Sequence, residues 1–258
     1  MKELPIKLGD IFAVGNHRIA CGDSRDPDLV DRLLGKNRIA LILTDVPYGV
    51  AYVESRAGFT KGKSRHAPIA NDHLQSDGEF RAFTQSWLQA VRPCLCRKNA
   101  TYIFCSDKML FALHDGMEAT GWKFGQLLFW LKTAAVIGHL DYAPQHECIA
   151  YGWYGVHGFM KSKDKSVIIY PKPQKSVFHP TEKPISILRR LILNSSRTGD
   201  IVYDPFAGSG TTGIAAEQTK RSCRMIELEP GYCRIILNRL EKLTGEHPEK
   251  LSSLSHAR

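Results

Sequence analysis

The residues with the clearest chemical potential are Asp45, Val46, Pro47 and Tyr48, which follow the apolar run Ile39–Leu43. That run has the length and the branched side chains of a buried parallel strand, and open α/β sheets bind their ligands at the carboxyl ends of such strands. A stiff turn there would hold the Asp45 carboxylate and the Tyr48 ring in a fixed relation. The first offers lone pairs and the second a flat stacking face. The segment therefore suits a planar substrate that carries an amino group.

A glycine-rich turn forms the second chemically suggestive segment. It follows the predicted strand Ile201–Asp204, and Gly208, Gly210 and Gly213 spell the pattern GxGxxG. Glycines let the backbone approach a bound ligand, and Glu227 at the end of the next predicted strand could accept hydrogen bonds from ribose hydroxyls. The pattern alone fits a nicotinamide-dependent oxidoreductase as well as other nucleoside cofactors.

Predicted strands alternate with predicted helices around these two segments. Strands are predicted at Ile11–Val14 and His17–Cys21 (a hairpin), Thr101–Cys105, Gln126–Leu131 and Glu147–Tyr151. Helices are predicted through Val30 and Leu34, with Ser24 or Asp26 as the cap, at Phe80–Val91, from Met109 to Met117, at Ile214–Thr219 and at Gly231–Leu243. The alternation is typical of a doubly wound, mostly parallel α/β sheet, and we expect residues 1–258 to form one domain.

Two segments interrupt this alternation. Residues 51–80 are basic and lack apolar periodicity, so they are predicted as a mobile basic loop that closes over a phosphate backbone or, equally, as a solvated surface loop. Residues 152–180 interleave aromatic and basic side chains, which fits a small target-recognition insertion lobe as well as a β-rich insertion with solvated lysines. We expect the tail after Glu246 to be frayed.

Composition indicates which kind of binding partner and which cellular compartment to expect. The net charge of +9 and the pI near 9.2 favour a polyanionic partner. No apolar run approaches the roughly 20 residues of a membrane span, and the first residues lack the apolar core of a signal peptide, so a cytoplasmic protein with no membrane partner is expected. The seven cysteines include no CxxC pair, so neither a disulfide framework nor a metal site is predicted.

Three segments in this order resemble the motifs of DNA amino-methyltransferases. Asp204–Thr212 is similar to their S-adenosylmethionine-binding segment, Asp45–Tyr48 to their catalytic tetrapeptide, and His179–Pro184 to the segment that precedes the cofactor motif. The catalytic motif comes first and the cofactor motif last, as in the circularly permuted β group. The resemblance covers roughly residues 10–245. It implies a Rossmann-like methyltransferase fold, S-adenosylmethionine as cofactor, double-stranded DNA as partner and, as is common in the group, a homodimer.

The resemblance also assigns residues to the cofactor. Those expected around its methionine and adenosine parts are Asp204, Phe206, Ala207, Gly208, Gly210 and Thr211, with Glu227 on the ribose, Cys21 and Asp23 near the adenine, and Thr181 and Lys183 on the other side. Two of these have plainer alternatives. Asp23 could simply cap the next helix, and Lys183 could belong to the start of a helix beside Pro184.

For catalysis the resemblance implies that the Asp45 carboxylate and the Val46 carbonyl accept the hydrogens of an exocyclic amino group, while Tyr48 stacks on the flipped base. Val46 departs from the family, which has proline there. Asp45 therefore lacks the conformational restriction of a residue that precedes proline, which leaves a weakly active relative open. An initial Asp is typical of adenine enzymes, so adenine N6 is predicted over cytosine N4.

Other hypotheses explain less of the sequence. A NAD-dependent oxidoreductase would leave Asp45–Tyr48 and His179–Pro184 without a role. A non-catalytic nucleic-acid-binding module would account for the charge alone. Methylation of RNA or of a protein glutamine is a nearer alternative, because related tetrapeptides serve amide and amino nitrogens in general.

Overall fold

The computed structural model describes residues 5–47, 76–135, 141–160, 164–171 and 183–251. Their strands are β1 (Ile11–Val14), β2 (His17–Cys21), β3 (Ile39–Asp45), β4 (Leu95–Cys105), β5 (Trp122–Leu131), β6 (His146–Tyr154), β7 (Val156–His157), β8 (Val167–Ile169), β9 (Ile201–Asp204), β10 (Ser222–Glu227) and β11 (Glu249–Leu251). Their α-helices are α1 (Pro27–Leu34), α2 (Asp77–Val91), α3 (Leu110–Ala119), α4 (Ile185–Ser195), α5 (Thr211–Gln218) and α6 (Pro230–Thr244). Short 3₁₀ turns lie at Arg92–Cys94 and Asp107–Met109.

One mixed sheet organises these elements, in the strand order β11-β1-β2-β10-β9-β3-β4-β6-β5-β8, with β7 paired to β4. The central strands β2, β10, β9, β3 and β4 are parallel, and β6 runs antiparallel between β4 and β5. Helices α1, α2 and α3 contribute to the apolar core on one face, and α4, α5 and α6 to the core on the other. The predicted doubly wound, mostly parallel α/β sheet is confirmed.

Local sequence signals fix several elements where they were predicted. The β1–β2 hairpin has the predicted bounds. The Asp26 carboxylate caps α1 by accepting from the backbone N–H groups of Asp28 and Leu29, which resolves the choice between Ser24 and Asp26. The apolar stripe on α2, from Phe80 to Val91, is buried, as its helical spacing predicts.

The predicted boundaries at residue 80 and in the tail are wrong. Residues 77–80 are not loop but the first turn of α2, because Ser76 and Glu79 form a capping box that starts the helix at Asp77. The tail after Glu246 is not wholly frayed, because Glu249–Leu251 pairs with β1 as an antiparallel strand. Residues 48–75 and the predicted loop at Gly138 and His139 lie outside the described residues.

Strands β4, β5 and β6 are longer than predicted. β4 begins at Leu95 rather than Thr101, and β6 continues through Gly152 to Tyr154. The described parts of 152–180 thus extend the main sheet, since β8 also pairs with β5 at Phe129–Leu131. Target recognition by this segment stays a prediction. Among the described residues, no helix combines the length and apolarity required to cross a bilayer.

Candidate active site

The catalytic and cofactor motifs lie at the ends of neighbouring strands. β3 pairs in parallel with β9, so the two strands end at the same edge of the sheet, here called the catalytic edge. The Thr44 hydroxyl donates to Asp204 Oδ1 over 2.7 Å, and both side chains are buried. A residue next to Asp45 in the chain therefore holds the first residue of the cofactor motif.

Asp204 is a buried carboxyl with several donors. Besides Thr44, the backbone N–H of Phe206 donates to Asp204 Oδ1 over 3.1 Å. Burial raises the pKa of Asp204 to about 6, although hydrogen bonds from Thr212, Thr44 and Phe206 oppose the shift. Above pH 6 the site consequently contains a buried, hydrogen-bonded negative charge.

The glycine turn after Asp204 is tightly constrained. Gly210 adopts φ +79° and precedes α5, and a Cβ atom there would lie 2.9 Å from the Ile236 side chain. Both the backbone conformation and the space therefore require glycine. Phe206 packs against Phe83 and edge-on against Trp87, with ring centroids 5.4 and 5.7 Å away, which anchors the turn to α2.

Arg239 braces the same turn from α6. Its Nη1 atom donates to the Ser209 carbonyl over 2.8 Å and to Ser209 Oγ over 3.0 Å, and lies 3.4 Å from Thr211 Oγ1. Sequence reasoning missed this residue, because nothing local distinguishes it from other basic residues on a solvated helix face.

Glu227 lies at the end of β10, across from the glycine turn. Its Oε2 accepts from the Gly208 N–H over 2.8 Å and its Oε1 from the Glu229 N–H over 2.9 Å. Burial raises the pKa of Glu227 to about 7, and the two backbone donors oppose that shift. A carboxylate in this position can exchange a backbone donor for a ligand hydroxyl.

Cys21 and Asp23 flank the same edge from β2. Cys21 is buried and is registered against Glu227, whose carbonyl accepts from the Gly22 N–H. Asp23 forms an ion pair with Arg25, and the hydrogen bond from Arg25 lowers the pKa of Asp23. Since Asp26 caps α1, the alternative role of Asp23 as the helix cap is excluded. The structure thus brings Cys21, Asp23, Glu227 and the glycine turn to one edge.

Lys183 lies against Asp45. Its Nζ atom is 2.5 Å from Asp45 Oδ2 and 3.2 Å from Glu147 Oε2, while Lys132 Nζ is 2.9 Å from Glu147 Oε1. Burial, the largest influence, would lower the pKa of Lys183, but the charges of Asp45 and Glu147 raise it. Lys183 therefore stays protonated. Sequence reasoning found Lys183 but missed Lys132 and Glu147, whose partners lie in other segments of the chain.

The remaining predicted residues divide in two groups. Val46 and Pro47 follow β3 directly, and Val46 is buried in the apolar core. Tyr48 and Thr181 lie outside the described residues, so their roles stay predictions. Within the described ranges, no group of three or more His, Cys, Asp or Glu side chains could hold a metal ion.

A sequence model of a DNA methylase family, the N6/N4 methyltransferases, matches residues 39–238 of the 258. The chain belongs to the N6/N4 DNA methylase family. Among curated relatives, the type II methyltransferase M2.DpnII of Streptococcus pneumoniae is 27% identical over 231 residues, covering 78% of this chain and 82% of the relative. The type II methyltransferase M.HpaI of Haemophilus parainfluenzae is 26% identical, covering 81% of this chain and 70% of the relative.

Solved structures share the fold of this family member. The M1.HpyAVI–SAM complex superposes with a TM-score of 0.63 at 22% identity, covering 86% of this chain and 98% of that one. The PvuII DNA methyltransferase, described as cytosine-N4-specific, superposes with a TM-score of 0.69 at 15% identity, covering 90% of this chain and 92% of that one. At these identities the likeness shows the fold alone.

Proposed function

We propose that this DNA methyltransferase transfers a methyl group from S-adenosylmethionine to the N6 amino group of a flipped adenine at specific sites in double-stranded DNA. The observation that carries the proposal is the Thr44–Asp204 hydrogen bond, which joins the ends of β3 and β9. It joins the residue before Asp45 to the residue that begins the cofactor motif, so an amino group held by Asp45 and a cofactor at the glycine turn would meet at one edge.

The residues around the glycine turn fit S-adenosylmethionine. Carboxyl groups of Asp204 and Glu227 contact it, and they complement a ligand that carries a sulfonium and an ammonium group better than they complement a pyrophosphate. When bound, the cofactor would supply an electrophilic methyl group for transfer from its sulfonium sulfur to the amino nitrogen, and Asp45, which accepts an amino hydrogen, would be the first acceptor of the proton that the nitrogen loses. This arrangement of acidic groups therefore does not favour the oxidoreductase hypothesis.

Asp45 acts by accepting an amino hydrogen. One of its oxygens, Oδ2, accepts from Lys183, and a carboxylate has enough lone pairs to accept further hydrogen bonds. A second acceptor, the Val46 carbonyl, follows directly in the chain. Two acceptors gripping one amino group would draw its nitrogen toward tetrahedral geometry and expose the lone pair. Catalysis of this kind depends on orientation and electrostatics rather than on a side-chain nucleophile.

DNA would approach the catalytic edge. The position of residues 152–160 does not favour them as the DNA contact. Their strand β7 pairs with β4 at Lys98 and Asn99, near the opposite end of β4 from Phe104, which is registered with Asp45. Strands β3, β5 and β8 instead end at the catalytic edge, and each is the last described strand before one of the segments 48–75, 136–140 and 172–182. The first carries basic residues that suit a phosphate backbone: Arg56, Lys61, Lys63 and Arg65.

The direct test uses unmethylated genomic DNA and S-adenosylmethionine labelled in its methyl group, followed by digestion and mass analysis of the nucleosides. N6-methyldeoxyadenosine is the expected product. Asp45→Asn should lower the transfer rate on the order of 100- to 1,000-fold with cofactor affinity retained, whereas Asp115→Asn, an exposed change on α3, should have no effect. Absence of labelled nucleoside from DNA, with label in RNA or protein instead, would refute the proposal.

Cytosine N4 is the second candidate target. The matching family model covers N6 and N4 enzymes together and so leaves cytosine N4 open, whereas the Asp at the start of the catalytic tetrapeptide favours adenine. The nucleoside analysis distinguishes the two, since N4-methyldeoxycytidine and N6-methyldeoxyadenosine differ in mass and retention.

A further inference from the structure

A second ion pair, between Lys132 and Glu147, adjoins the Asp45–Lys183 contact, because Glu147 also contacts Lys183. Glu147 is at the start of β6 opposite Trp130, and Lys132 directly follows β5 opposite Gln145, so the two charged residues are diagonal neighbours on one face of the sheet. The Lys132 backbone is held twice by Gln145: its N–H donates to the Gln145 carbonyl over 2.7 Å, and its carbonyl accepts from Gln145 Nε2 over 3.0 Å. The position of Lys132 is therefore fixed by its surroundings.

The four charged side chains alternate in sign. Lys132 contacts Glu147, Glu147 contacts Lys183, and Lys183 contacts Asp45, over 2.9, 3.2 and 2.5 Å. Lys132 and Lys183 are buried, with side chains only 7% and 6% exposed. The Lys183 ammonium also lies 5.3 Å from the centre of the Phe104 ring, within the range of a cation–π contact.

Charge balance in this array of two buried lysines and two partly exposed carboxylates depends on every member. Two ammonium groups and two carboxylates sum to zero, and a buried charge that loses its partner is costly. Without the Glu147 charge, two ammonium groups would compete for Asp45. Without Lys132, Glu147 would draw Lys183 away from Asp45. Either change would alter how strongly Asp45 can accept a further hydrogen bond.

We infer that Glu147 and Lys132 are positioning residues for methyl transfer, which act on Asp45 through Lys183. Glu147 holds the Lys183 ammonium between its own carboxylate and that of Asp45. Lys183 can then orient Asp45 without neutralising the Asp45 charge. Lys132 limits the pull that Glu147 exerts on Lys183. This inference rests on the proposed function, because it concerns the same amino-group acceptor.

The test is a double-mutant cycle on the full chain, with Glu147→Gln, Lys132→Met and both together. Each variant is assayed for kcat in methyl transfer to DNA, for cofactor affinity by calorimetry and for the midpoint of thermal unfolding. Lys250→Gln, which breaks the ion pair with Asp10 on the opposite flank of the sheet, is the matched control. Each single variant should lose about 10- to 100-fold in kcat with cofactor affinity unchanged, as expected for misplacement of a group by a fraction of an ångström.

The double variant restores neutrality, because only Lys183 and Asp45 keep their charges. It should therefore be less impaired than the product of the two single losses by about 5-fold or more. Losses that simply multiply, or a kcat unchanged in both single variants, would overturn the inference while leaving the proposed function intact. Parallel losses of kcat, cofactor affinity and stability would also overturn it, because they indicate a merely structural role. No transfer by the unmodified chain would refute the proposed function and the inference together.

Discussion

Replacing Thr44 with valine probes the connection between the two motifs. The side chains are nearly equal in volume, so the change removes the hydroxyl that donates to Asp204 Oδ1 and little else. A hydrogen bond to a charged acceptor is worth about 1.5–3 kcal/mol. For a chain of this length, that corresponds to a fall of about 3–10 °C in the unfolding midpoint at pH 8.

The pH dependence makes the prediction more specific. The pKa of Asp204 is about 6, because burial raises it above its ordinary value. At pH 8 Thr44 donates to a carboxylate, whereas at pH 5 it contacts a largely neutral acid, for which a hydrogen bond is worth only about 0.5–1.5 kcal/mol. Loss of the donor also raises the pKa of Asp204 further. The stability deficit of the Thr44→Val variant should therefore grow as the pH rises through 6.

Urea unfolding at pH 5, 6, 7 and 8, followed by circular dichroism, measures this deficit directly. Thr84→Val is the matched control, because the Thr84 hydroxyl is buried and has no hydrogen-bond partner among the described residues. It should be neutral or slightly stabilising at every pH. A Thr44→Val deficit equal to that of Thr84→Val, or one that does not change between pH 5 and 8, would refute the reasoning.

Three further perturbations test other parts of the site and the fold. Gly210→Ala places a Cβ atom 2.9 Å from the Ile236 side chain at φ +79°, so it should destabilise the chain by about 1–3 kcal/mol in urea unfolding and weaken cofactor binding in calorimetry. Glu227 has a pKa of about 7, so cofactor affinity should fall as the pH drops below 7, and Glu227→Gln should abolish that dependence. His17 accepts from the Cys223 N–H and contacts Glu217, and burial lowers the pKa of His17 below 6.5. As the pH is lowered from 6.5, the free energy of unfolding should therefore decrease by at most about 1.4 kcal/mol per pH unit. This pH dependence should be absent in His17→Gln.

Local sequence patterns were sufficient where one segment carried its own signal. The hairpin, the Asp26 cap and the buried stripe of α2 each depend on residues within a few positions of one another. The glycine turn and Asp45 could be placed at strand ends for the same reason. Their spatial proximity depends on the parallel pairing of β3 with β9, which the sheet register shows and no local pattern specifies.

The ion array could not be predicted in this way. Lys132 and Glu147 flank apolar runs, where a charged residue ordinarily marks the solvated end of a strand. They meet Lys183 only because β6 runs antiparallel between β4 and β5, and no local pattern specifies that order. The same reason explains why the first half of β4, which contains Arg97 and Lys98, was not predicted as strand. Those exposed basic residues resemble a loop until the pairing of β4 is known.

Val46 shows how the fold can replace a restraint that the family's usual proline would provide. Proline at this position would restrict the backbone of Asp45. Valine does not, but its side chain is only 2% exposed and packs in the core that α1, α2 and α3 cover. It is also β-branched and itself precedes Pro47, and both features favour an extended backbone. Asp45 is thus held from both sides, by the buried Val46 and by the ion pair with Lys183, so the departure from the family pattern is compatible with an active site.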